Sequence, residues 1–286
     1  MIKKKFYLIC LLSSLLFSGC AERSFKKSAL LLGTEVEITV IEKNPKKARR
    51  AIELALEKVR TEERNLSYFS AESELSKINR QAGKGWIKVS PELFSLIKKS
   101  LYYSQLTDGA FDIAYSSGGY KKIILDEKRK RVRLSQKEMA LDLGGIAKGY
   151  IVDKTVGLLQ KEGIKNGMVN AGGDLKVFGE KSYRIGIRDP FKKKTVFKVI
   201  KVKNKAVCTS GGYERPGHIF NPKTGEPASD VLRSVTIIAS TATAADALAT
   251  AIIIMGRLKG ERFLKRLGLS YFLIDSEGNI ATNMSF

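Results

Sequence analysis

Two stretches of this 286-residue chain combine residue types that could do chemistry. The first is LDLGGIAKGYIVDK, residues 141–154. Gly144 and Gly145 let a backbone approach a ligand closely. The helix they precede would point free N–H groups and the positive end of its dipole at an anion. Lys148 adds a cation one turn in. The loop matches neither common phosphate cradle, which need G-x-x-x-x-G-K-[ST] or G-x-G-x-x-G. Asp142 would repel a phosphate. It suits a hydrogen-bond donor such as a ring N–H or a ribose hydroxyl, or a nearby metal. The structural alternative is a glycine turn in which Asp142 caps the helix.

The second stretch is STATAADALATAIIIMG, residues 240–256. Asp246 and Thr250 are four apart, so on a helix they share one face. A carboxylate with a hydroxyl suits a hard cation such as Mg²⁺, which takes few protein ligands and keeps waters. The competing reading is a capping box in which Thr243 and Asp246 close the helix start. Two loops add candidates. NAGGDLKVFG (170–179) carries Asn170 and Asp174 around a Gly-Gly turn, which turn chemistry alone explains. CTSGGYERPGHIFNPKTGEP (208–227) holds His218, the single histidine. That residue is the default group to accept a hydroxyl proton near neutral pH.

Several elements must position these residues. GTEVEITV alternates Val36, Ile38 and Val40 with polar neighbours and predicts a half-buried strand. Asn44-Pro45 predicts a helix start, with Ala48, Ile52, Ala55, Leu56 and Val59 on its apolar face. Ser90-Pro91 predicts a second helix, ending at Asp108-Gly109. KIILDEKRKRVRL reads as a charged hairpin. A third helix runs from the glycine motif to Gly163. Residues 168–207 are strand-rich, and VLRSVTIIAS is a further strand. A helix over residues 244–255, a short basic helix and a hairpin around SEGN complete the chain. There is no regular β-α-β alternation, which predicts an α+β class.

The first residues read as a leader. MIKKK is a basic start, and FYLICLLSSLLF is an apolar run of 12 residues, too short for a stable membrane span. Phe17-Ser18-Gly19-Cys20 resembles a lipoprotein cleavage site, with Phe17 where the pattern prefers Leu. The expected organisation is a leader over 1–19, a lipidated tether over 20–27 with the lipid on Cys20, and one domain over 28–286. Cys208 is then the only cysteine of the fold, which excludes an intramolecular disulfide or a Cys-based metal site. Hydrophobic residues make up 43% of the chain, enough for a sizeable core. The formal net charge of +22 favours anionic partners. The cations are dispersed and not interleaved with aromatics, which speaks for a lysine-rich surface near anionic lipid and against nucleic acid.

Taken in order, GT (33–34), SELSKIN (73–79), GAFDI (109–113), LDLGGIAKGYIVD (141–153), VNAGGD (169–174), TSGGYER (209–215), HIFNPKTGEP (218–227) and AADALATAIIIMG (244–256) resemble the ApbE family of FAD:protein FMN transferases. The resemblance covers roughly residues 28–286. It implies a single α+β, T-fold-like domain with mixed or antiparallel sheets and flanking helices. It implies FAD as substrate, Mg²⁺ as cofactor, a Thr or Ser acceptor on a flavoprotein subunit of a membrane redox complex, and AMP as product. It also implies a cell-envelope location, lipid-anchored through Cys20, facing the periplasm or the outer side of the cytoplasmic membrane.

Residue by residue, the resemblance assigns Leu32, Phe69, Ala110, Phe111, Asp112, Asp142, Lys148, Asp174 and His218 to FAD. It assigns the Gly145 carbonyl, Asp246 and Thr250 to the metal, and His218 and Asp246 to catalysis. The chain departs from the family in three places. Phe69 stands where a Tyr is usual. Ala249 replaces a carboxylate present in some members. The segment between Asp112 and Asp142 is short and lacks the family's Pro-Leu and Trp-Gly motifs. Two alternatives remain open at this level: an FAD pyrophosphatase giving FMN and AMP, and a non-catalytic FAD-binding lipoprotein.

Overall fold

The computed structural model describes residues 22–114, 119–192, 195–212, 219–228 and 232–284. Cys20 and His218 lie outside the described residues. Strands β1 (Arg23–Leu31) and β2 (Thr34–Glu42) form the first hairpin. Its two turn residues, Leu32 and Gly33, both have positive φ (56° and 67°), the primed geometry that matches strand twist. On β2, Val36, Ile38 and Val40 are fully buried, as their alternation predicts. One expectation is corrected here. Arg23–Lys27 are not tether: they pair with Glu42–Ile38 along β2. Charged residues hid this strand, because an edge strand can be solvated on both faces.

Helix α1 (Pro45–Leu66) starts where Asn44 accepts from the Lys46 and Lys47 N–H groups. Helix α2 (Glu74–Arg80) is capped by Ser73. It is too short to show a hydrophobic period, and the sequence reading missed it. Strand β3 (Ile87–Lys88), helix α3 (Pro91–Leu106) and strands β4 (Ile123–Asp126) and β5 (Arg131–Leu134) follow. The last two form the expected charged hairpin, joined by β3 in a small sheet. Then come α4 (Ala147–Lys161), β6 (Asn166–Ala171), β7 (Asp174–Phe178), β8 (Ser182–Arg188), β9 (Val196–Lys203), β10 (Ala206–Ser210) and β11 (Leu232–Ala239). Helix α5 (Ala242–Arg266), β12 (Ser270–Asp275) and β13 (Ile280–Thr282) close the chain. α5 breaks at Gly256 (φ 72°, ψ 173°), so the two expected helices are two arms of one kinked element.

Eight strands form the main sheet in the order β1-β2-β6-β7-β10-β11-β12-β13, and every pair is antiparallel. Helices α1, α4 and α5 cover one face. The β8–β9 hairpin covers part of the other. It shuts Leu175, Val177, Val207 and Phe272 against Ile185, Ile187, Ile200 and Val202. The α+β expectation holds, with the sheets antiparallel throughout.

This order gives the sheet two ends. At one end lie the Leu32-Gly33 turn, the Gly172-Gly173 turn before Asp174, and Ser210 opposite Val235. At the other end lie Arg23 opposite Glu42, the start of β6 and the start of β10. The residues singled out for chemistry gather at the first end.

Candidate active site

α4 and α5 cross in direct contact. A Cβ at Gly149 would lie 2.3 Å from the Ala242 carbonyl oxygen and 2.8 Å from the Asp246 Cβ, so only glycine fits. The Gly149 N–H donates to Asp246 Oδ2 at 2.9 Å. Asp246 is 4% exposed, and Asp174 is 2% exposed. Lys148 meets the second of them. Its ammonium pairs with Asp174, and the Thr209 N–H donates to the other Asp174 oxygen at 3.2 Å. Lys148, half-buried, thus pairs directly with Asp174 and feels the charge of Asp246 at longer range.

The electrostatics follow. Burial, then the Asp174 charge, pushes the Asp246 carboxyl up to about 7, against the pull of Lys148 and the Gly149 N–H. For Lys148, burial opposes the charge, but Asp174 and Asp246 outweigh it and hold the ammonium protonated. Burial, followed by the same two carboxylates, pushes the Cys208 thiol well above its usual range.

The capping-box reading of Thr243 and Asp246 is corrected. The N-cap of α5 is Thr241, which accepts from the Ala244 N–H. Thr243 instead donates its hydroxyl to Asp153 at 2.6 Å. Asp153 also accepts from the Ala242 and Thr243 N–H groups at 3.0 and 2.9 Å and pairs with Lys176 at 2.9 Å. One carboxylate on α4 therefore fixes the start of α5. Within the glycine motif, local sequence assigns Asp153 no role. Its spacing of four from Gly149 is the signal that places both on the face meeting α5.

Asp142 does not cap α4 either. It accepts from the Gly144 N–H at 2.8 Å and shapes the turn, while Ile146 occupies the cap position with no side-chain bond. Asn79, also without an assigned role, grips the same loop. It donates to the Leu141 carbonyl at 3.0 Å and accepts from the Leu141 N–H at 2.8 Å.

Gly145 lies against Phe111 and Thr250: a Cβ there would sit 3.2 Å from the Phe111 ring and from Thr250 Oγ1. Ser210 Oγ is 3.4 Å from Thr250 Oγ1. Asp246, Thr250 and the Gly145 backbone thus converge, with Ser210 as an added hydroxyl. No group of three His, Cys, Asp or Glu side chains could hold a metal among the described residues. A cation here would use one carboxylate, hydroxyls and backbone oxygen. That donor set fits Mg²⁺, and the uncompensated carboxylate of the buried pair supplies the charge reason for one. Ala249 is fully buried in the core, so no second carboxylate joins from that position.

The remaining candidates surround this centre. Phe111 is buried at 3% exposure beneath the loop, so its ring packs and does not present a face to solvent. Asp112 accepts from the Ala114 and Tyr120 N–H groups at 2.8 and 2.9 Å, and burial raises its carboxyl above the usual range. Ala110 lines a cavity of about 570 Å³ with Lys259, Arg262, Arg266 and the Lys223–Asp108 ion pair, a wall of net positive charge. The Leu32 N–H donates to Glu63 on α1 at 2.7 Å. The neighbouring Thr34 touches the Gly172 turn that presents Asp174. Phe69 is 95% exposed, edge-on to Tyr68, in a loop just beyond α1.

An antiparallel α+β fold with a Lys148–Asp174 pair and the buried Asp246 beside a glycine loop defines a single-domain scaffold whose chemistry-bearing residues share one end of the main sheet. The ApbE family model matches residues 32–118 and 114–273. A protein of Treponema pallidum (strain Nichols) named FAD:protein FMN transferase is 30% identical, over 90% of this chain and 86% of its own. Its counterpart in Klebsiella pneumoniae (strain 342), of the same name, is 29% identical over 83% and 84%. The crystal structure of the ApbE protein from Thermotoga maritima superposes with a TM-score of 0.83 at 32% identity, covering 91% of this chain and 97% of that one. The flavin transferase ApbE from Vibrio cholerae has the same fold, with a TM-score of 0.83 at 23% identity over 92% and 97%. The chain belongs to the ApbE family, and the relatives it matches are named as enzymes.

Proposed function

We propose that this protein is a Mg²⁺-dependent transferase that moves FMN from FAD onto a Thr or Ser hydroxyl of an acceptor flavoprotein. The observation that carries the reading is the meeting of Asp246, Thr250 and Gly145 beside the Lys148–Asp174 pair. In the step, the acceptor oxygen bonds to the FMN-side phosphorus. The bridging P–O bond breaks, AMP leaves with its electron pair, and the hydroxyl proton passes to a base. Mg²⁺, when bound, supplies charge neutralisation on the pyrophosphate and the leaving phosphate. The protein's part is positioning and electrostatics.

Asp246, Thr250 and the Gly145 carbonyl would hold the cation. Lys148 is pinned by Asp174, so it presents a fixed charge and not a mobile one. The Asp142-shaped turn would hold a donor on the cofactor, and exposed Phe69 would lie against the flavin. His218 takes the proton in this scheme, as the family resemblance assigns. The proposal extends to lipidation of Cys20, an envelope location, and an acceptor in a membrane redox complex. The test is incubation of the full chain in detergent with FAD, Mg²⁺ and a threonine-bearing acceptor peptide. Covalent flavin fluorescence on the peptide is expected. Free FMN with unmodified peptide would mean hydrolysis, and intact FAD would refute both.

A further inference from the structure

We propose that the end of the sheet opposite the active site is a docking surface for an anionic lipid bilayer. The described chain enters the fold at that end. Glu22, just before β1, pairs with Lys181 at 2.8 Å. The Glu180 and Lys181 N–H groups donate to Asn166 at the start of β6, at 2.7 and 3.1 Å. Lys47, at the start of α1, bridges to Glu42 and donates to the Gly163 carbonyl beyond α4, both at 2.8 Å. Lys203, at the end of β9, reaches Glu180 at 2.6 Å. The ends of six elements are therefore tied into one surface around the entry point.

The surface carries more cation than it neutralises. Lys47, Lys181 and Lys203 have carboxylate partners. Lys43, Lys46, Lys161, Lys165 and Lys205 are exposed and form no ion pair among the described residues. α1 also begins here with no acidic residue in its first turn. Lysines at that position oppose the helix dipole, a cost that an anionic surface would reverse. The sequence before Glu22 supplies the second line of argument. Cys20 is two residues away, so the chain holds it within about 7 Å of Glu22. A lipid on Cys20, or retention of the apolar run over residues 6–17, brings the bilayer to this end and no other. Each lysine near an anionic leaflet contributes about a fivefold change in affinity. Five are enough to orient an anchored chain with its cleft facing away from lipid.

The inference rests on the anchoring reading, and the test separates the two. The full chain is placed in nanodiscs of phosphatidylcholine alone or mixed with phosphatidylglycerol, and its lysines are labelled with an impermeant amine reagent. Lys43, Lys46, Lys161, Lys165 and Lys205 should label several-fold more slowly in the anionic discs, and high salt should remove the difference. Lys77 and Lys223, on the active-site side, should not change. Equal labelling in both discs, or protection centred on Lys77 and Lys223, overturns the proposal. The mass of the amino-terminal peptide from the same sample reports the lipid separately. An unmodified Cys20 overturns the lipidation and leaves the lysine protection as the measure of the surface.

Discussion

Replacing Asp246 with Asn keeps an oxygen to accept the Gly149 N–H and removes one buried charge. The Asp246 carboxyl rises from 3.8 to about 7 on folding. The raised folded value means that the folded state holds a proton which the unfolded chain loses first. Stability from this group is thus complete below about pH 4 and is lost as pH rises through 7. The loss is the shift times 1.36 kcal/mol per unit, roughly 4 kcal/mol, of which about 2 falls between pH 5 and 7. In EDTA, D246N should therefore gain on the parent by about 2 kcal/mol over this interval and stay ahead above it. Magnesium should close most of that gap. The parent would gain about 2.7 kcal/mol at a hundredfold excess over Kd, and D246N would gain nothing. Urea unfolding at pH 5, 6, 7 and 8, with EDTA or with Mg²⁺, measures both effects. A constant deficit for D246N at every pH, unaffected by Mg²⁺, would refute the reasoning and make Asp246 a structural acceptor only.

Gly149→Ala should cost about 1–3 kcal/mol or more by urea unfolding, because its methyl must push α5 off α4; an unchanged midpoint would contradict the close crossing. Asp153→Ala leaves two N–H groups and the Thr243 hydroxyl at the α5 start without their acceptor. It should destabilise by about 1–3 kcal/mol and weaken Mg²⁺ binding by calorimetry, whereas unchanged Mg²⁺ affinity would separate the cap from the site. Phe69→Ala should leave stability within about 0.5 kcal/mol, since the ring is solvent-exposed. It should weaken FAD binding by about 0.5–1.5 kcal/mol in a fluorescence titration, and unaltered binding would remove Phe69 from the flavin site. Cys208 should resist a thiol reagent at pH 8 and react only on unfolding; fast native labelling would contradict its burial.

The sequence carried the local signals well. Asn44-Pro45 marks the α1 start because a cap and its helix are neighbours in the chain. The Asp246–Thr250 spacing also survives, because four residues on a helix share a face whatever packs on it. The contacts that make these residues a site are distant. Asp153 reaches α5 across 89 residues to bond Ala242, and no local pattern distinguishes that from an exposed helical Asp. Asn79 holds Leu141 from 62 residues away. Lys148 reads as a cation for phosphate until the hairpin at Gly172-Gly173 puts Asp174 on its ammonium. The placement of β10 between β7 and β11, with β8–β9 folded out onto the other face, is likewise a choice made by burial. No periodicity encodes it.

Strand β1 runs nine residues from the lysine-rich end of the sheet to the Leu32 turn beside the cleft. At about 3.3 Å per residue that is a ruler of roughly 30 Å. On the proposed docking, the bilayer lies at the lysine-rich end and the Leu32 turn stands one ruler-length above the headgroups. An acceptor hydroxyl lying flush with the lipid would be out of reach. On that reading, the acceptors open to the proposed transferase are those that lift their hydroxyl on a domain or loop to that height, so stature joins chemistry in selecting the substrate.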